Sequence, residues 1–435
     1  MRRILIVTSS YAPTMIADMQ RARQLAWELP ELGWSVTILS PSIQYQAPAC
    51  VDEDSALFFP ANAQVTLAPE FARTLFRFAR IGNIGWRALW PMWKAGKRLL
   101  RQNRFDLVYF STAQFPLFLL GPLWQRQLGV PYVLDLHDPL TKEDSRHPAW
   151  LRSRFKYRVS RVVSKFLEAG VTKAATGLVA VSPDYIDTLR RRYGASEPLW
   201  ARPRRAAVIP FSAPAGDLQS AAERMARETV REGPPYRIVY VGVGGPVMLR
   251  SFSLFCRALS ELRAHSRKRC EGIRIELFGT MLGWKPGEPL VLSDTADKFG
   301  IGDLVREAPG RVSYRSSLEI LLGSDGVLVF GVEDRGYMPS KLFSYALSGK
   351  PLLASLHRHG PALAQFQRLP GLGHALWFGP NGDMPLEDAM GTVRAFLGEV
   401  VSRRMFDRRA EMTPFLAPAM ASRHVELFES CLLPQ

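Results

Sequence analysis

The chain has 435 residues, with 56 Lys and Arg against 40 Asp and Glu, giving a formal charge of +16. That length predicts two domains or three, and a composition of 47% apolar, 22% charged and 11% aromatic residues excludes a disordered or collagen-like chain. No apolar run reaches the roughly 18 residues that span a bilayer.

The chain opens on MRRILIV. Its apolar stretch is too brief for a signal peptide and lacks a small-residue cleavage site, so Ile4–Val7 reads as a buried parallel strand. After Pro13, residues 18–32 have helical spacing, Gly33 closes the helix, and Ser35–Leu39 is the next strand, a right-handed βαβ opening. The unit repeats as strand 107–110, a helix over 117–127 bent at Gly121-Pro122, and strand 132–136. A long basic helix over 151–175 follows, then strand 178–181, a helix to Tyr193 and strand 207–210. Residues 212–235 read as a linker or linker helix. The pattern then restarts with strands at 237–241, 273–278, 311–314, 326–330 and 351–354, alternating with helices that include 316–322 and 340–348. A final helical stretch, about 386–431, is interrupted at Pro414 and Pro418. The predicted class is therefore α/β, with two Rossmann-like domains that bind ligands beyond the C-terminal ends of their strands. Boundaries fall at 1–215, 216–400 and 401–435, the last being helices returning to the first domain.

The excess charge is concentrated. Residues 71–105 hold nine basic residues and no acid, and residues 151–175 hold seven with one acid, Glu168. Arg73, Arg80, Arg87, Lys94 and Arg101 recur every seven residues, which puts them along one side of a helix. Phe76, Phe78, Trp86, Trp90 and Trp93 lie between them, and Gly82-Asn83 and Pro91 predict two or three shorter helices. A basic stripe interleaved with aromatics suits an anionic membrane surface. A solvated helix face over an ordinary core is the plain alternative. Nucleic acid would use the same residue types, but no RNP, zinc-finger or helix-turn-helix signature supports it.

The first glycine of the chain is Gly33, so the first strand has no phosphate-cradling glycine loop and a dinucleotide site there is excluded. The second half has one in Gly242, Gly244 and Gly245, directly after a strand, with Arg250 able to add a cation. A purely structural glycine turn is the alternative reading. Pro339 and Ser340 look like a helix start that would aim backbone donors and Lys341 at the same place. At the end of strand 132–136, His137 and Asp138 stand where ligands bind, and a loop-capping histidine is the alternative. Asp52-Glu53-Asp54 formally matches a metal-binding DxD but sits in a polar loop and reads as solvated surface. His357-Arg358-His359 lacks further ligands, so no metal site is expected. The four cysteines, Cys50, Cys256, Cys270 and Cys431, form no CxxC or disulfide framework, which points to a reducing cytoplasm.

These residues resemble retaining GT-B glycosyltransferases of the large family 4 (group 1) type. The resemblance rests on the opening Ile4–Val7 strand with its Pro13 turn, on Leu136-His137-Asp138, and on Val208-Ile209-Pro210. It continues through Tyr240-Val241-Gly242, Leu277-Phe278-Gly279 and Ser324–Val327, and is most specific over Pro339-Ser340-Lys341-Leu342-Phe343-Ser344 to Pro351. It implies two domains facing across a cleft, a nucleotide-sugar as co-substrate and no metal or other cofactor. It also implies a histidine, His137, beside the reacting sugar, and a glycan or lipid-linked acceptor. The donor-binding set it implies is Gly242, Gly244, Gly245, Arg250, Gly279, Glu333, Pro339, Ser340, Lys341 and Ser344. The sequence departs from the family in three places. Thr14–Ala17 stands where paired glycines are common, and Gly336 and Ser344 occupy the places of two glutamates, with Glu333 or Asp334 near the first. The expected activity is sugar transfer with retention in cell-surface polysaccharide synthesis, by a cytoplasmic protein peripheral at the inner face of the membrane. A non-catalytic scaffold on the same fold, or a sugar-nucleotide epimerase, remain the alternatives.

Overall fold

The computed structural model describes all residues except 15, 17–18, 43–50, 53, 55–57, 61–62, 70–83, 142–154, 226–232, 282, 370 and 434–435. The chain divides into two compact units, Met1–Phe211 together with Ala417–Gln435, and Ser212–Leu416.

In the first unit, strands β1 (Arg2–Val7), β2 (Trp34–Pro41), β3 (Gln64–Ala68), β4 (Leu107–Ser111), β5 (Tyr132–Leu136), β6 (Gly177–Ala180) and β7 (Ala206–Val208) form one sheet in the order β3-β2-β1-β4-β5-β6-β7. Every pairing is parallel. Ile4–Val7, Leu107–Phe110 and Leu178–Ala180 are at most 1% exposed, as continuous apolar runs in a doubly covered sheet should be. Its helices are α1 (Gln20–Glu28), α2 (Ile84–Gln102), α3 (Leu120–Leu128), α4 (Phe155–Lys173) and α5 (Pro183–Tyr193), joined by a C-terminal helix described below. Past α1 a short 3-10 turn over Leu29–Leu32 ends at Gly33, whose φ of +82° is the left-handed conformation that glycine adopts without a Cβ clash.

The second unit repeats the plan with α6 (Ala215–Met225), β8 (Tyr236–Val241), α7 (Leu249–His265), β9 (Ile273–Phe278), α8 (Val291–Lys298), β10 (Val305–Ala308), α9 (Tyr314–Leu322), β11 (Gly326–Phe330), α10 (Leu342–Leu347), β12 (Leu352–His357), α11 (Pro361–Arg368), β13 (His374–Phe378), α12 (Leu386–Val401) and α13 (Arg409–Met412). Its sheet runs β10-β9-β8-β11-β12-β13, again all parallel. The core includes Phe252, Phe255 and Leu259 of α7 with Val393, Phe396 and Val400 of α12. The chain then returns to the first unit as α14 (Ala417–Leu432).

Several sequence expectations are corrected. Pro91 does not break α2, which runs unbroken from Ile84 to Gln102. Ala88, Met92, Gly96 and Leu100 are buried at four-residue spacing along it, and burial of that face outweighs the roughly 3 kcal/mol that an interior proline costs. Gly96 is required there because a Cβ would meet the Trp124 ring at 2.2 Å. Arg87 is 1% exposed and so leaves the basic stripe; heptad spacing keeps side chains on one face without saying where that face is covered. Residues 311–314 are not a strand; the strand lies earlier, at β10, and Tyr314 already opens α9 with Ser313 capping it. Pro122 and Pro418 sit in the first turns of α3 and α14, where a missing N–H costs little, and the interruption expected at Pro414 and Pro418 falls between α13 and α14. Edge strand β3 carries mixed, partly exposed residues and no apolar run; β13, absent from the expected strands, holds the short run Ala375–Phe378.

Candidate functional site

Parallel α/β sheets bind ligands at the C-terminal ends of strands where the strand order reverses. Those points fall between β1 and β4 in the first unit and between β8 and β11 in the second. The residues singled out by sequence lie just past these strands or their neighbours.

In the second unit, Gly242–Pro246 follows β8. Gly242 has φ +138° and Gly245 has φ +48°. A Cβ on Gly242 would lie 1.7 Å from Lys341 Nζ, so glycine here makes room for that ammonium. Lys341 Nζ donates to Tyr240 Oη at 3.1 Å and stands 4.5 Å from the centre of the same ring. No carboxylate among the described residues pairs with it, and burial lowers its pKa to about 7. Tyr345 Oη accepts from Val241 N–H (2.9 Å) and is 2.8 Å from Val241 O, fixing the strand end under the loop. Gly279, φ +69°, packs beside it, its Cβ position 3.8 Å from Gly242 Cα. One part of the sequence reading is narrowed. The Gly242 and Gly244 amides already donate to Phe278 O (2.7 Å) and Thr280 O (3.0 Å), so the loop contributes space and curvature more than free donors.

This geometry gives a direct test. Gly242→Ala meets both a φ that L-residues avoid, at about 1–3 kcal/mol, and the Lys341 ammonium. Calorimetry with the nucleotide-sugar that the wild type binds should show affinity at least about tenfold weaker, since 1.4 kcal/mol is tenfold; unchanged affinity would mean that Lys341 takes no part.

Arg250 and Glu333 come together, with Nη1 3.0 Å from the Glu333 carboxylate. The guanidinium also reaches Asp383 at 3.0 Å and the Gly379 carbonyl, so its charge is shared within the protein, unlike that of Lys341. Pro339 and Ser340 do not begin the helix; they form a turn in which Leu342 N–H donates to Pro339 O, and α10 starts at Leu342. Ser344 is half-buried on α10.

In the first unit, His137 follows β5 and is 8% exposed. Its carboxylate partner is not Asp138, which is exposed, but Asp135, whose Oδ2 lies 2.6 Å from His137 Nε2. Residues i and i+2 of a strand share a face, which brings Asp135 and His137 together and turns Asp138 away. Ser111 Oγ at the end of β4 donates to the same Oδ2 at 3.0 Å, and Phe211 packs edge-on against the imidazole at 5.0 Å. Asp135 was missed by sequence reasoning, although an acid inside the apolar run YVLDL is a usable signal. Tyr240 and Tyr345 had none. Asp52, read as solvated, is 7% exposed and its N–H donates to Pro13 O, whereas Asp54 is exposed and Glu53 lies outside the described residues. Among the described residues no group of His, Cys, Asp or Glu is placed to hold a metal ion.

Residues 19–212 match the glycosyl transferase 4-like domain. A comparison with curated protein sequences gives no match. Among solved structures the chain is similar to sucrose-phosphate synthase from Thermosynechococcus elongatus, with 13% identity, 99% of each chain covered and a TM-score of 0.61. It is also similar to HepE of Anabaena in complex with UDP and glucose, with 13% identity, 99% of this chain and 100% of that one covered, and a TM-score of 0.62. A third similar structure is WaaG, a glycosyltransferase involved in lipopolysaccharide biosynthesis, with 12% identity, 99% and 98% covered, and a TM-score of 0.55. The chain therefore has the GT-B fold of these structures, and within its first unit residues 19–212 match a glycosyl transferase 4-like domain.

Proposed function

We propose that this protein transfers a sugar from a nucleoside-diphosphate sugar to a glycan or lipid-linked acceptor in cell-surface polysaccharide synthesis, with retention and without a metal. The observation that carries the reading is Lys341, a cation with no carboxylate partner among the described residues, beside a glycine-walled loop at the strand-order reversal of the second sheet. In transfer, the bond from the anomeric carbon to the diphosphate oxygen breaks and one to the acceptor oxygen forms. Negative charge grows on the leaving diphosphate, where an ammonium already in place stabilises it without reorganisation. The proton of the acceptor hydroxyl leaves with the departing phosphate oxygen. His137 accepts a hydrogen bond from a sugar hydroxyl, and Ser344 makes one hydrogen bond to the ribose where a carboxylate would make two. HepE, similar in fold, binds UDP-glucose, which makes UDP-sugars the first donors to try.

The test is a thermal-shift panel of UDP-glucose, GDP-mannose and dTDP-glucose. One should stabilise the protein by about 2.7 kcal/mol at 100 times its dissociation constant. If none does, the second reading, a non-catalytic protein on this fold, gains the support that Ser344 and Gly336 already lend it.

The acceptor side of the proposal places the first unit on an anionic membrane at the inner face of the cell membrane. No described helix is long and apolar enough to cross one. The support is the outer face of α2, where Trp86 and Trp90 are 39% and 56% exposed. Trp90 stacks on Trp93 at 4.7 Å, and Lys97 Nζ stands 4.6 Å from the Trp93 ring centre. Lys94, Arg98 and Arg101 are exposed beside them, and no acid occurs in the helix. Each cation contributes about 1 kcal/mol near acidic lipid. Residues 71–83 and 151–154 of the predicted basic surface lie outside the described residues. Flotation should recover the protein with phosphatidylglycerol-containing vesicles at low salt but not with pure phosphatidylcholine, and a Trp90→Ala, Lys94→Gln, Arg98→Gln variant should stay behind. Equal recovery of that variant would remove α2 from the contact.

A further inference from the structure

Asp135 stands inside an otherwise apolar strand with no exposure at all. An ionised carboxylate there is costly unless its partners are well placed, and four groups surround it. Oδ2 takes His137 Nε2 at 2.6 Å and the Ser111 hydroxyl at 3.0 Å. Oδ1 faces Arg21 Nη1 at 3.4 Å, both side chains being fully buried. Arg21 is itself anchored, because Nη2 donates to Ile209 O at 2.6 Å and the guanidinium lies 5.0 Å from the centre of the same Phe211 ring that packs on His137.

The fourth is the Tyr109 hydroxyl, and the group behind it comes from the far end of the chain. His424 of α14 has Nε2 3.4 Å from Arg21 Nη1 and 3.0 Å from Tyr109 Oη. Its Nδ1 lies 2.8 Å from Met420 O, and a carbonyl only accepts, so Nδ1 carries the hydrogen and Nε2 is a bare acceptor. Burial first, and Arg21 second, lower the His424 pKa to about 3, so this imidazole is neutral. Burial tends to raise the Asp135 pKa, but Arg21 and His137 together hold it well below the usual carboxylate range. Arg21 and Asp135 thus carry opposite charges, and His424 adds none.

The same acceptor logic fixes His137. A carboxylate has no hydrogen to give, so Nε2 must donate to it, and in the neutral imidazole Nδ1 keeps its lone pair. That Nδ1 is buried and has no hydrogen-bond partner among the described residues, while the side chain around it is only 4% exposed. We propose that Asp135, clamped by Arg21 and through it by His424 of the C-terminal helix, is the positioning residue that holds His137 as the Nε2–H tautomer and presents Nδ1 as a hydrogen-bond acceptor to a substrate hydroxyl. This rests on the role given to His137 above. A plain structural ion pair would need Arg21 and Asp135 but would not require the second carboxylate oxygen to be spent on an imidazole with one nitrogen left unpartnered.

The first measurement needs no variant. Long-range 15N correlation of the seven histidines should show His137 with Nδ1 unprotonated and Nε2 protonated at neutral pH; the opposite tautomer would overturn the proposal. The second uses Asp135→Asn. Arg21 demands an acceptor at the Oδ1 position, which turns the amide NH2 toward Nε2 and forces the hydrogen to Nδ1, while the Ser111 hydroxyl, which shares that side, turns to accept. Release of nucleoside diphosphate from whichever of UDP-glucose, GDP-mannose or dTDP-glucose binds should fall about 10- to 100-fold in kcat, the range seen when an imidazole loses its orienting carboxylate. KM for the donor should change little, and the 15N pattern should invert. In the His137→Ala background, Asp135→Asn should cost nothing more; an additive loss would make Asp135 structural. If His137→Ala is impaired and Asp135→Asn is not, positioning fails while the role of His137 stands. Should His137→Ala itself turn over normally, that role fails and the clamp has no catalytic purpose.

Discussion

Lys341→Met is expected to raise the melting temperature of the ligand-free protein while weakening nucleotide-sugar binding about 10- to 100-fold. The two effects have one cause. An unfolded lysine titrates at its ordinary value of 10.5, but burial brings the folded one to about 7. Between those values the unfolded chain holds a proton that the folded chain does not, so stability rises with pH from about 7 to about 10.5, and the penalty is complete below 7. Its size is on the order of a few kcal/mol, and each kcal/mol moves the melting temperature of a domain this large by about 2–4 °C. Methionine keeps the length and apolar stem and carries no proton, so its gain should shrink as the pH is raised. The same ammonium meets the diphosphate, and a charge-assisted hydrogen bond contributes about 1.5–3 kcal/mol, which sets the expected loss of affinity. Wild-type binding at pH 8 should also take up a proton, visible as a calorimetric enthalpy that depends on the ionisation enthalpy of the buffer. A variant with unchanged melting temperature and unchanged affinity would show that this lysine is solvated and idle.

His137→Ala is expected to reduce transfer by about tenfold or more, acting on kcat rather than on donor binding. The protein should remain folded but lose about 1–3 kcal/mol, because Asp135 Oδ2 gives up its shortest hydrogen bond in a site that water reaches poorly. Turnover and thermal unfolding measured on one preparation separate the two. Loss of activity in step with loss of fold would reduce His137 to a loop-capping residue.

Much of this protein is legible in its sequence because parallel sheets write themselves as short apolar runs. Ile4–Val7, Tyr132–Leu136 and Gly326–Val329 could be placed by eye, and the glycines at 242–245 follow such a run closely enough to mark the turn. Edge strand β3 could not, since its residues are mixed and three of its side chains meet solvent. Pro91 misled for a related reason. Propensity is local, while the apolar side of α2 is paid for by the sheet beneath it. The basic stripe was half right: Lys94 and Arg101 reach solvent, and Arg87 does not.

Length, charge and motif order thus determined two α/β halves, placed most of the positive excess in the first and put Lys341 near a glycine loop in the second. Only the tertiary structure decided which groups touch. It paired His137 with Asp135 instead of its neighbour Asp138, because side-chain direction in a strand has a period of two. It gave Arg250 protein partners and left Lys341 without a carboxylate, because pairing depends on what the folded chain brings within 4 Å. And it brought His424, near the end of the chain, against Arg21 near its start, a contact across about 400 residues that no local pattern encodes.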